Sequence, residues 1–186
     1  MEKTYKLELA GLTRELPLCP VNENLYIGAF IMFGDVELTK TAAGLLLKKV
    51  PDFDIIVTSE SKGIPLAYEM ACQSGRNDYV VMRKEKKLYM KDVMSIEVDS
   101  ITTDHRQTLH IGGREAGLIK GKRALLVDDV ISTGETVGAM EALIKKAGGS
   151  VAGRAAVLAE GEALDREDII YLAPLPVFDS EGKEIK

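Results

Sequence analysis

With 186 residues, 46% of them hydrophobic and 28% charged, the chain has the make-up of a single globular domain with a sizeable core. A formal net charge of −5 argues against broad nucleic-acid binding, which relies on basic surface to displace counterions. No apolar run approaches the length of a membrane span and the amino terminus lacks an apolar signal segment, so no membrane association is expected. Two cysteines, Cys19 and Cys72, offer neither metal spacing nor a disulfide framework; a reducing cytosol is expected, with both thiols buried as small hydrophobes.

In chain order, Tyr5 to Leu9 alternates as a short strand, and Leu25 to Phe33 forms another extended segment. Asp35 caps a helix over Leu38 to Lys49, which Pro51 closes. Phe53 to Val57 is a β-branched run expected as a buried strand, followed by a helix over Ile64 to Gln73 with Gly75 beyond its end. Tyr79 to Met82 is the next strand. Val93 to Val98 and Gln107 to Ile111 then flank a polar stretch as an antiparallel excursion. Arg123 to Val127 is a strand, Glu135 to Ala147 a helix with Gly148-Gly149 as its stop, and Val151 to Ala159 a further strand. The tail from Ile169 to Phe178 is extended and apolar. Strands alternating with helices imply an α/β protein with a mostly parallel sheet in right-handed crossovers.

Residues 124 to 136 carry the strongest chemical signal. The apolar run Ala124 to Val127 ends in Asp128 and Asp129, and a turn containing Ser132, Thr133 and Gly134 leads into a helix. Strand, turn and helix in that order place backbone N–H groups and a positive helix end where an anion can sit. Acids beside an anion cradle make sense for a ligand with hydroxyls on one side and a phosphate on the other, such as a ribose 5-phosphate. The motif is not a Walker A loop, because no Lys follows its Gly, and no dinucleotide fingerprint opens any helix.

Ser59-Glu60-Ser61-Lys62-Gly63 repeats the same physics after the strand Phe53 to Val57, with Lys62 as a compact cation suited to a pyrophosphate. Arg83 and Lys84 begin where the next strand reaches the same edge. His110 reads as a structural residue, His105 as solvated, and Met82, Met90 and Met94 as packing or lid residues.

At residues 124 to 136 the chain resembles the type I phosphoribosyltransferases: a hydrophobic strand, two acids, and a Thr-Gly turn. The resemblance covers roughly residues 50 to 160 and is closest to the purine branch. It implies a twisted, mostly parallel sheet flanked by helices, in one domain over 1–186. A small hood would come from about 1–34 and 165–186, including the apolar segments Leu25 to Phe33 and Tyr171 to Phe178. A flexible lid over about 84–107 would close on the reacting centre. Phosphoribosyl pyrophosphate would contact Asp128, Asp129, Val130, Ile131, Ser132, Thr133, Gly134, Glu135 and Thr136. Its pyrophosphate would meet Glu60, Ser61, Lys62, Gly63, Arg83, Lys84 and Lys87. Lys87 and Asp129 are the expected catalytic residues. Mg²⁺ would arrive with the substrate, touching Asp128 or Asp129 directly or through water. A homodimer is also implied.

Three devices by which relatives select their base are altered. Thr102-Thr103 stands where adenine enzymes commonly place Glu before an aromatic residue, Ser132 where animal hypoxanthine-guanine enzymes carry Asp, and Glu160-Gly161 where 6-oxopurine enzymes often present Lys. Val93 to Ile111 is more similar to archaeal purine enzymes and to the ligand domain of purine-operon repressors. Adenine is the expected base, on the small Ser132 and the missing Lys. The open alternatives are a hypoxanthine, guanine or xanthine enzyme and a non-catalytic module that binds phosphoribosyl pyrophosphate or a nucleotide.

Overall fold

The computed structural model describes residues 3–98 and 107–185. Its centre is a five-stranded, all-parallel sheet in the order β10-β9-β8-β4-β5, built from β4 (Ile55–Ser59), β5 (Tyr79–Met82), β8 (Arg123–Ile131), β9 (Ser150–Glu160) and β10 (Ile169–Leu175). Central strands buried on both faces read as continuous apolar runs. Alternate residues of those runs serve different cores. Leu125 and Val127 pack with Ile56 under α1 (Val36–Leu47) and α2 (Ile64–Gln73). Ala124 and Leu126 pack with Ile55 and Val57 under α3 (Gly113–Ile119) and α4 (Glu135–Lys146).

From β4 the chain winds outward through α2 to β5, whereas from β8 it winds the opposite way through α4 to β9. The order of strands therefore reverses between β4 and β8, and a crevice opens at their carboxyl ends. In open α/β sheets that is where ligands bind.

A second, antiparallel sheet joins the two ends of the chain. β1 (Thr4–Leu9), β2 (Leu12–Pro20), β3 (Tyr26–Gly28) and β11 (Val177–Phe178) lie in the order β1-β2-β3-β11, with Tyr5 against the Phe178 ring at 5.1 Å. Arg14 of β2 anchors this cap to α1: its guanidinium donates to both Asp35 carboxylate oxygens, at 2.5 and 3.1 Å, while Asp35 accepts from the Leu38 N–H. Asp35 thus caps α1, and the Arg14 hydrogen bond holds its carboxyl below the ordinary range.

Several sequence expectations need correction. β2 and α3 were not anticipated. β2 holds Pro17 and Pro20, which weaken a strand signal, and α3 is seven residues long with two glycines. The tail expected as one extended segment divides at Pro176. Its first part, β10, edges the large sheet, and only β11 joins the cap. Leu25 to Phe33 forms a strand only at Tyr26–Gly28. Both cysteines are exposed and unpaired, not buried. The expected antiparallel excursion is present as β6 (Met94–Val98) paired with β7 (Gln107–Ile111). Of the expected lid, residues 99–106 lie outside the described residues, and with them Thr102, Thr103 and His105.

The expected glycine stop of α4 is a Schellman motif. Gly149 N–H donates to the Ile144 carbonyl and Gly148 N–H to that of Lys145, with Gly148 at φ 81°. Gly148 is required by conformation and Gly149 by space: a Cβ at Gly149 would lie 2.9 Å from the Ile119 carbonyl oxygen. Gly138, inside α4, has nothing within 4 Å of its would-be Cβ. Gly149→Ala is expected to destabilise the fold by roughly 1–3 kcal/mol through overpacking, and Gly138→Ala to stabilise it by roughly 0.5–1 kcal/mol. Urea unfolding of the two variants checks the opposite signs.

Candidate functional site

β8 outruns its neighbour β4. The last β4 partner in register is Leu126 against Val57, but β8 continues to pair with β9 as far as Ile131. The acid pair is therefore part of the strand and does not follow it, as the sequence had suggested. Asp128 and Asp129 occupy successive strand positions with different exposure, yet both line the same crevice. Asp129 is buried, while Asp128 is half-buried.

Across the crevice, the turn after β4 docks onto this strand end. A Cβ on Gly63 would stand 2.5 Å from Thr58 Oγ1 and 2.9 Å from Asp128 Oδ1, so only glycine lets the turn approach. The Glu60–Ser61 peptide within that turn is cis. Lys62 then reaches over. Its Nζ lies 2.9 Å from Asp129 Oδ2 and donates to the Phe30 carbonyl at 3.4 Å, linking both turns to the segment after β3. The Lys62–Asp129 contact is close but poorly aligned, so Asp129 Oδ2 remains a buried acceptor without a hydrogen bond.

Ser59, Glu60, Ser61, Lys62, Lys84, Asp128, Asp129, Val130 and Thr136 line one cavity of about 200 Å³. A smaller depression of about 50 Å³ adjoins it, lined by Asp128 and by the turn from Val130 to Val137. In this turn Gly134 takes φ 81° and the Thr133 hydroxyl accepts from the Glu135 N–H at 3.4 Å. The first turn of α4 lacks intrahelical acceptors for its N–H groups, which is the general basis of anion binding there.

Not every sequence candidate turns toward these cavities. The Arg83 guanidinium donates to Glu60 Oε1 at 2.7 Å, and the Lys84 N–H donates to the other carboxylate oxygen at 3.0 Å. Burial alone would raise the Glu60 carboxyl, but these two partners outweigh it and hold it below its usual value. Lys87 pairs with Glu85 at 3.5 Å and lies outside the lining of both cavities. His110 is structural, as expected: it is buried, its Nδ1 is 2.7 Å from Ser95 Oγ, and its backbone bridges that of Arg83.

The fold brings two residues from outside the motif to this edge: Glu160, which the sequence marked only as standing where 6-oxopurine enzymes often present Lys, and Arg166, to which it gave no role. Glu160 ends β9, and burial raises its carboxyl despite the nearby Lys62. Arg166 approaches the turn from beyond β9 and packs against Gly134. Arg166 belongs to no local motif, so no sequence signal marked it.

Burial and the adjacent Asp129 charge push the Asp128 carboxyl up to about 8. Asp128 therefore keeps its proton at neutral pH in the ligand-free protein. Because the folded state binds this proton more tightly than the unfolded chain, the contribution of Asp128 to stability is full below about pH 4 and is lost as pH rises toward 8. In metal-free buffer, Asp128→Asn is expected to match the parent near pH 4 and to exceed it by roughly 1–3 kcal/mol at pH 8. Urea unfolding at both pH values measures the difference, and an equal gain at both would assign it to packing.

A doubly wound parallel sheet, with turns from two strands meeting at its switch point, defines an α/β protein of the open-sheet class that binds ligands at that point. Within that class, residues 37–173 match the phosphoribosyl transferase domain, and the chain belongs to this family of pentosyltransferases. An adenine phosphoribosyltransferase of Thermotoga neapolitana is 36% identical over 182 residues, 97% of each chain. A hypoxanthine/guanine phosphoribosyltransferase of Methanotorris igneus is 36% identical over 128 residues, 68% of this chain and 66% of its own length. The crystal structure of adenine phosphoribosyltransferase from Thermoanaerobacter pseudethanolicus superposes with a TM-score of 0.68 at 23% identity, covering 86% of this chain and 95% of that one.

Proposed function

We propose that this protein transfers ribose 5-phosphate from phosphoribosyl pyrophosphate to a purine, with adenine as the expected base, yielding a nucleoside monophosphate and pyrophosphate in purine salvage. The carrying observation is the convergence of two anion-type turns and an acid pair on adjoining cavities at one switch point. The adenine assignment rests on the adenine-enzyme relatives and on Ser132 in the phosphate turn.

In this reading a ring nitrogen of the base attacks the anomeric carbon as the bond to pyrophosphate breaks. The chain's work is positioning and charge neutralisation. Amides of Ser132 to Thr136 hold the 5-phosphate. Asp128 and Asp129 accept from the ribose hydroxyls, which requires Asp128 to ionise on binding. Lys62 and Lys84 face the diphosphate from the larger cavity, while Arg83 braces Glu60. Lys87 would have to leave Glu85 to take part. The antiparallel cap, reached by the Lys62–Phe30 contact, would cover the base and keep water from the oxocarbenium-like sugar.

The donor set fits Mg²⁺ carried by the substrate. Asp129 Oδ2 is a buried acceptor without a hydrogen bond, and Mg²⁺ usually takes one or two carboxylates together with phosphates and water. Among the described residues no cluster of three or more His, Cys, Asp or Glu could hold an ion by itself. When bound, the ion would neutralise charge on the departing pyrophosphate. We place the protein in the cytoplasm, where exposed unpaired thiols are compatible with the redox state. We also assign it a homodimer, for which the exposed Ile31, Phe33, Val36 and Tyr68 offer an apolar face.

Incubation with labelled phosphoribosyl pyrophosphate, Mg²⁺ and single purine bases is expected to give AMP fastest. Preferred turnover of a 6-oxopurine would reassign the base, and tight binding without nucleotide would identify a sensor. Lys62→Ala and Asp129→Asn are each expected to lose roughly 2–4 kcal/mol of transition-state stabilisation. Because the two side chains touch, the double variant should lose less than the sum. Lys62→Ala should also be the less stable of the two, since it leaves a buried carboxylate unpaired.

A further inference from the structure

From the geometry we infer that Arg166 is an additional ligand-binding residue, a fixed cation for the phosphoryl group held in the Ser132–Thr136 turn. This assignment rests on the function proposed above and goes beyond it by adding a residue from outside the motif. The turn contains no Lys or Arg of its own and includes an acid, Glu135, while Asp128 lines the same depression. Backbone amides supply only partial charges, so a dianionic phosphate there calls for a full positive charge from elsewhere.

Arg166 stands beside this turn at Gly134, just outside the lining of the depression, and is the group assigned to supply it. Its Nε and Nη2 donate to the two Asp168 oxygens at 2.9 and 2.8 Å, which fixes the plane of the guanidinium. The remaining nitrogen, Nη1, lies so close to Gly134 that a Cβ there would overlap it. Gly134 thus meets two demands at once: its left-handed backbone, φ 81°, and the space that admits the guanidinium. Beyond Asp168, an ion-pair chain runs through Arg154 and Glu141 to Lys145. That chain, from Arg166 to Lys145, contains three cations and two acids, and Arg166 is its end nearest the turn. A guanidinium held by a fork on one edge keeps its other edge oriented for an incoming anion at little entropic cost.

Calorimetric titration of the full chain with AMP, adenosine and pyrophosphate separates this inference from the function it rests on. The parent protein is expected to prefer AMP over adenosine strongly, because only AMP carries the phosphate. In Arg166→Gln that preference should fall roughly 10- to 100-fold through loss of AMP affinity, the range for a charge-assisted hydrogen bond. Pyrophosphate and adenosine affinities should stay unchanged. Arg166→Lys should recover part of the loss. Asp168→Asn, which keeps the cation but removes its brace, should lose much less. An unchanged AMP preference in Arg166→Gln overturns the role of Arg166 while leaving the function standing. An equal loss in Asp168→Asn and Arg166→Gln assigns the effect to the ion pair and likewise overturns it. A parent protein that binds AMP no better than adenosine overturns the phosphate site itself. A melting temperature recorded for each variant confirms that folded protein is compared.

Discussion

The contact on which the site depends is the ion pair between Lys62 and Asp129. Asp129 is 5% exposed at its side chain and Lys62 46%, so the carboxylate is committed to the interior while the ammonium spans from it to the crevice. The pair ties the turn after β4 to the end of β8, two segments more than sixty residues apart. A buried carboxylate of this kind survives only with a partner, since the cost of desolvating a lone charge is several kcal/mol or more. Lys62 also reaches the Phe30 carbonyl, so the same side chain connects the parallel sheet to the antiparallel cap.

The strand order makes that contact possible. Because winding reverses between β4 and β8, none of the described helices directly connects these two strands, and two strand-to-helix turns face each other across the gap at their carboxyl ends. Gly63 then lets one turn lie directly against Asp128. The resulting crowding of acids is electrostatically unfavourable in the empty protein, and Asp128 responds by holding a proton. Strain of this sort at a ligand edge is the expected cost of a site shaped for a charged substrate.

Around this centre, charge is distributed in pairs. Glu60 holds Arg83, Glu85 meets Lys87, and Asp168 braces Arg166. Among the described residues, only Lys62 and Lys84 contribute cations to the lining of the larger cavity. The arrangement separates residues that hold the scaffold from those that face the crevice, a division that a list of basic residues along the chain could not make.

Much was legible in the sequence because it depends on neighbours along the chain. The apolar run leading into the acid pair, the turn with Gly134, the α2 helix over Ile64–Gln73 and the glycine stop of α4 all follow from local pattern and backbone stereochemistry. The parallel α/β class followed from the alternation of those elements. Tertiary structure alone decided the rest. β8 outlasts β4 because β9 continues to pair with it, and that difference holds Asp128 and Asp129 in the strand at the crevice. Long-range packing likewise divided the tail between two sheets and brought Arg166 against Gly134. Local chemistry sets what a segment can do; which charges meet, and which are buried, is fixed only when distant strands choose their partners.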